Sequence, residues 1–150
     1  MTSRPRRDFL LDSGGVSALA ADRDLLVAYL DLLRLCFDGA LLIPIPVLTE
    51  VRSGNRRSDA LVDRLIKAIG AEREIYAPLT VAAAVRAGVL RGEASRGSRR
   101  DISTTDAQIV AMAEERSYRC AVTIITGDPH DINMLVGLTR RTNIAVDVPS

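Results

Sequence analysis

Four acids in this 150-residue sequence stand where solvation alone does not explain a carboxylate: Asp12, Glu50, Asp106 and Asp128. Asp12 follows the apolar run Phe9-Leu10-Leu11, and Asp128 follows the apolar segment from Arg119 to Thr126 by way of Gly127. Glu50 stands between Val47 and Val51 in a helical pattern that gives it no obvious capping duty. Asp106 shares a helical face with Ile109, Val110 and Ala113, at spacings of three, four and seven. Carboxylates brought together repel and raise one another's pKa, so such a cluster is kept mainly where a cation balances it. Oxygen ligands alone suit a hard cation, Mg²⁺ or Mn²⁺. One or two such ions polarise a phosphodiester, acidify a water and stabilise the leaving 3′ oxygen, paired ions lying about 4 Å apart. The chemistry predicted for the four is therefore phosphodiester hydrolysis, with one carboxylate orienting or deprotonating the attacking water.

Each acid also has a structural account. Asp12 could open the Ser13-Gly14 turn or cap the next helix. Glu50 could reach solvent at the margin of its apolar face or pair with Arg57. Ser103 and Asp106 have the spacing of a capping box, as do Asp128 and Asp131 around Pro129. Asp131 reads first as that capping acid and second as an auxiliary ligand. Cap and ligand are compatible roles, because a helix N-terminus at a crevice presents both.

Other reactive residues are sparse. His130 is the only histidine, which excludes a histidine-pair ribonuclease mechanism, and its setting beside Asp128 and Asp131 reads as a solvent-facing helix start. Cys36 and Cys120 lack CxxC or Cys/His spacing and read as buried thiols in a reducing cytosol. Ser13 and Thr126 are placed to hydrogen-bond the acids. Net charge is +1, with 20 basic against 19 acidic residues, so bulk attraction argues for no nucleic-acid partner. Local clusters at Arg56-Arg57, at Arg96, Arg99 and Arg100, and at Arg140-Arg141 could line an RNA groove or simply be solvated loops.

For the acids to meet, strands must deliver them to one end of a sheet. Apolar segments at Asp8 to Asp12, Ala40 to Ile43, Arg119 to Thr126 and Asn143 to Val148 read as strands, and Arg73 to Ala77 as a weaker one. Helical patterns run from Asp24 to Phe37, from the Pro44/Pro46 pair to Ser53, and from Asp59 to Ile69. Others run from Leu79 to Ala94, Thr104 to Ser117 and Pro129 to Leu138, with loops at Gly54 to Ser58 and Arg96 to Asp101. Alternating strands and helices imply a three-layer α/β/α sandwich around a mostly parallel sheet. Its ligand crevice lies beyond the carboxyl ends of the strands, where Asp12 and Asp128 fall. Residues 1–150, 47% of them hydrophobic, read as one domain with a core that needs no metal merely to fold. Asp12 ends the apolar run after Arg4, Arg6 and Arg7 too early for a secretory leader, and no stretch approaches the roughly 20 apolar residues of a membrane span.

Four strings carry a family resemblance: Leu10-Leu11-Asp12-Ser13-Gly14, Pro46-Val47-Leu48-Thr49-Glu50-Val51, Thr104-Thr105-Asp106-Ala107 and Thr126-Gly127-Asp128-Pro129-His130-Asp131. In order and spacing they resemble a PIN domain from Phe9 to Val148, and at this size the VapC-type toxins. The resemblance implies Asp12, Glu50, Asp106 and Asp128 around Mg²⁺ or Mn²⁺, cleavage of RNA, a homodimer, and a cognate antitoxin that inserts a segment into the acidic site. Asp131 is carried over as an auxiliary acid only. Gly14 departs from the family's opening, because it supplies no side-chain oxygen where a Ser, Asn or Thr is usual. A haloacid-dehalogenase-type phosphatase would need a second Asp at Gly14, and a receiver-like domain needs paired acids and a lysine absent here. The alternative of another class is a non-catalytic PIN-fold domain that binds RNA or protein.

Overall fold

The computed structural model describes residues 3–70, 75–98 and 101–150. The chain runs β1 (Arg7–Leu11), α1 (Ser13–Ala21), α2 (Arg23–Cys36), β2 (Leu41–Pro44), α3 (Ile45–Val51) and α4 (Arg56–Gly70). It continues with β3 (Tyr76–Ala77), α5 (Val81–Ser98), α6 (Thr104–Ser117), β4 (Ala121–Ile125), α7 (Pro129–Thr139) and β5 (Ile144–Asp147). The strands form a parallel sheet in the order β3-β2-β1-β4-β5. One helical layer packs α1 against α2, α3 and α4, and the other packs α5 with α6 and α7. This is the expected α/β/α sandwich. Connections lead outward from β1 to β3 on one side and from β4 to β5 on the other, so the topological switch falls between β1 and β4, where a crevice opens.

Register explains why those two strands dominate. Phe9, Leu10 and Leu11 lie opposite Thr123, Ile124 and Ile125, and all but Thr123 are buried apolar side chains covered on both faces of the sheet. Asp8, 1% exposed at the amino end of β1, accepts a hydrogen bond from Arg116 at 2.9 Å and one from the Ala40 N–H at 3.2 Å. That charge is buried because it is paired.

Caps set the helix starts and move several of them. Asn55 Oδ1 accepts from the N–H groups of Arg57 (3.0 Å) and Ser58 (3.3 Å), so α4 begins at Arg56 rather than Asp59 and shortens the expected loop. Asp59, expected to open that helix, instead accepts from the Ser53 and Gly54 N–H groups at 3.1 Å each and ties the loop down. Thr80 caps α5 through the Ala83 N–H at 3.1 Å, and α5 continues to Ser98 past the expected end at Ala94. Arg96 is therefore helical, whereas Arg99, Arg100, Arg73 and Glu74 lie outside the described residues. Helix α1 begins at Ser13, so Gly14 and Gly15 belong to its first turn rather than to a turn before it. Cys36, expected to be buried, continues the period of the buried Leu26, Tyr29 and Leu33 but is exposed as the last residue of α2. No helix among the described residues is long and apolar enough to cross a membrane.

Candidate functional site

Beyond the carboxyl ends of β1 and β4, two strand-to-helix turns meet. The Asp12 N–H donates to the Ile125 carbonyl at 3.0 Å, extending the ladder by one residue, after which Asp12 turns the chain as the N-cap of α1. Its Oδ1 accepts the Gly15 N–H at 2.7 Å, and the Thr126 hydroxyl and Gly127 N–H donate to the same carboxylate. Thr126 Oγ1 in turn accepts the Asp128 N–H at 3.0 Å. One hydroxyl thus connects the first acid of the cluster to the turn that carries the fourth. Of the two hydroxyls read as possible supports in the sequence, Thr126 serves, and Ser13 makes no side-chain hydrogen bond among the described residues.

Close approach explains Gly14. A Cβ there would lie 2.8 Å from the Gly127 nitrogen and 2.9 Å from its Cα, contacts that real Cβ atoms essentially never make. A Cβ on Gly15 would sit 2.4 Å from the Ile125 carbonyl oxygen. The two glycines therefore let α1 start against the end of β4, which keeps Asp12 beside Thr126 and Asp128.

The other acids arrive from three helices. Glu50 projects from α3 and is exposed, with no ion pair to Arg57, so the solvent half of its structural account holds and the pairing half does not. Asp106 stands in the first turn of α6, where Ser103 Oγ accepts its N–H at 3.3 Å. That cap uses the backbone of Asp106 and leaves the carboxylate to face other acids. Asp128 caps α7 by accepting the His130 N–H at 3.3 Å, and Pro129 follows at the first helical position. Asp131 lies in the same first turn, half-buried, with Oδ1 sealed from solvent.

Electrostatics shows that the five are neighbours. Asp106 has its pKa pushed up to about 6, first by burial and then by the fields of Asp12, Glu50, Asp131 and Asp128. Burial also raises the pKa of Asp12, against the lowering effect of its three hydrogen bonds, and the charge of Glu50 adds to the rise. Among the described residues no three acidic, histidine or cysteine side chains stand close enough to form a metal cage as they are placed. Coulomb fields reach several ångströms further than coordination bonds, so both observations describe one arrangement: acids within range of one another's fields but farther apart than the ligands of one ion. An all-oxygen donor set under mutual repulsion matches a hard divalent cation, which would lower the pKa of each carboxylate.

The arginine clusters divide. Arg56 and Arg57 open α4 shortly after the helix that carries Glu50. Arg140 and Arg141 precede β5, so they lie at the amino edge of the sheet, away from the acids and outside any groove the acids line. A cavity of about 470 Å³ is also elsewhere: Leu19, Leu26, Val27, Leu30, Leu61 and Leu65 line it between α1, α2 and α4.

No family model and no curated protein matches the sequence. Solved structures do match the fold. DNA-bound VapBC from Salmonella typhimurium aligns with a TM-score of 0.66 over 95% of this chain and 98% of that one, at 16% identity. VapBC2 from Rickettsia felis, bound to a DNA fragment from its promoter, gives 0.63 over 95% and 99%, also at 16%. FitAcB from Neisseria gonorrhoeae gives 0.60 over 94% and 97%, at 22%. The resemblance to VapC-type PIN domains read from four short strings is thus a likeness of the whole fold.

Proposed function

We propose that this protein is a Mg²⁺- or Mn²⁺-dependent endoribonuclease and the toxin of a toxin-antitoxin pair. The observation that carries the reading is the pKa of Asp106, raised to about 6 by burial and by four other carboxylates delivered from segments far apart in sequence. Asp12, Glu50, Asp106 and Asp128 would hold the cation, with Asp131 as an auxiliary acid. Bound Mg²⁺ or Mn²⁺ supplies Lewis-acid charge to the phosphodiester and acidifies water. The chain supplies the rest. Thr126 and the Gly15 and Gly127 N–H groups fix the Asp12 carboxylate, and one of the carboxylates would orient or deprotonate the attacking water. Arg56 and Arg57 would meet the phosphates of an RNA strand entering beside Glu50.

Partners follow the same reading. VapBC and FitAB neighbours support an antitoxin partner, and the apolar groove between α1, α2 and α4, rimmed by Arg23, Arg64 and Lys67, has the chemistry to seat an apolar segment with acidic flanks. Helix α5 exposes Val81, Val85 and Val89 at 82%, 65% and 45%, one stripe at four-residue spacing, which supports a homodimer. On this reading the protein works as one domain in the cytoplasm.

RNA cleavage with Mg²⁺ or Mn²⁺ tests the proposal directly. Asp12→Asn should reduce cleavage by at least about a hundredfold, as loss of a ligand or its support typically does, while retaining the fold by circular dichroism. Equal cleavage by both proteins would sink the proposal. Absence of acid-dependent metal affinity in a metal titration would favour the non-catalytic binding domain.

A further inference from the structure

We propose that the amino edge of the sheet, opposite the acids, is a second nucleic-acid surface that binds single-stranded RNA through arginine-phosphate contacts and an unpaired base stacked on Tyr118. In a parallel sheet every strand begins at the same edge, and β1, β4 and β5 are adjacent, so the residues just before them share one face. Arg6 precedes β1, Arg119 precedes β4, and Arg140 and Arg141 precede β5. Two groups of contacts lie at this edge, linked along the chain through Arg116 to Cys120. Arg6 lies 3.8 Å from Asp8, which Arg116 also pairs at 2.9 Å, and Cys120 approaches the same carboxylate at 3.5 Å. Arg141 donates to the Ser117 hydroxyl at 2.9 Å and carbonyl at 3.0 Å, and its guanidinium lies 4.2 Å from the centre of the Tyr118 ring.

Around the starts of these strands Arg6, Arg116, Arg119, Arg140 and Arg141 outnumber Asp8 and the exposed Asp38, whose backbone bridges to Arg6, although the chain carries only +1 overall. Asp8 is buried and already shared by Arg6 and Arg116, whereas Arg119 and Arg140 are exposed and make no ion pair among the described residues. Tyr118 is 70% exposed, with a guanidinium on its ring. An aromatic platform backed by arginine among free guanidinium groups is the chemistry that grips unpaired bases and their phosphates.

A structural account exists, since arginines at the ends of α6 and α7 complement helix dipoles. It leaves one fact over: a solvent-facing tyrosine serves no dipole. Arg140 holds the left-handed C-cap of α7 at φ 56°, a place that favours glycine or asparagine, so conformation does not select arginine there.

Binding of a fluorescein-labelled 12-nucleotide oligouridine to the full chain in EDTA, followed by anisotropy across salt concentrations, tests this surface without metal or cleavage. Failure here is thereby separate from failure of the nuclease reading. Arg119→Ser with Arg140→Gly should weaken binding, and the slope of log affinity against log salt should become shallower by about 1.4 for two lost contacts to a single strand. Arg140→Gly removes the charge from a glycine-favouring site, so melting should show the variant folded. Tyr118→Ala should weaken binding with little change of slope. Arg64→Ser with Lys67→Ser, the same loss of charge on α4, should leave binding nearly unchanged. Three outcomes would overturn the proposal: equal weakening by the α4 pair, duplex DNA bound as tightly as oligouridine and indifferent to Tyr118, or binding to anionic lipid vesicles in place of RNA.

Discussion

At the residue scale, the acids show how one side chain serves two duties. Asp12 and Asp128 cap helices, as the capping motifs suggested, and stand in the carboxylate cluster as well. Asp106 gives this a measurable sign. Its pKa in the folded chain, about 6, lies above the ordinary 3.8, so its proton favours the folded state fully below about pH 3.8, and that contribution is lost as pH rises through about 6. In chelator, Asp106→Asn should therefore be more stable than the natural chain above pH 6, by about 1 kcal/mol after solvent screening. The advantage should shrink towards pH 4.5, as read by urea unfolding. Mg²⁺ should reverse the order, stabilising the natural chain and leaving the variant unmoved. An advantage that grows on acidification would show that Asp106 is not held among unbalanced charges.

At the scale of elements, the crevice depends on two turns touching. The sequence showed Gly14 as a missing side-chain oxygen, and the structure shows it as a space requirement imposed by Gly127. Only packing between segments more than a hundred residues apart carries that information. Gly14→Ala should cost about 1–3 kcal/mol, because backbone rather than a flexible side chain must yield, and should lower Mg²⁺-dependent cleavage further by moving Asp12 from Thr126. Ser13→Ala should change neither by much. Thermal melts and cleavage rates compared across the two variants check this, and the reverse pattern would assign the support of Asp12 to Ser13. Helix ends follow the same lesson. The Thr104–Ser117 helix was legible to the residue because Ser103 caps it, but the start of α4 was missed because Asn55, inside a polar run, looked like more loop.

At the scale of the whole molecule, the candidate acids stand beyond the carboxyl ends of the strands, and Arg6, Arg119, Arg140 and Arg141 stand at the amino edge. Assembly belongs here too. Helix α5 exposes Val81, Val85 and Val89 along one face, and Val85→Arg should convert a dimer to a monomer in light scattering without loss of helical content. A natural chain that is monomeric at tens of micromolar would remove α5 as a dimer face.

By itself the sequence determined the layers and the parallel sheet, because hydrophobic period and strand-end position are local properties of the chain. It placed Cys36 wrongly, since burial at the last residue of a helix depends on what packs over the helix end. It could not show which hydroxyl supports Asp12, why Gly14 is glycine, or that Arg140 and Arg141 lie at the far edge from the acids. Those follow from strand order and from contacts between distant segments, which only the folded chain brings within the few ångströms over which hydrogen bonds and van der Waals contacts act.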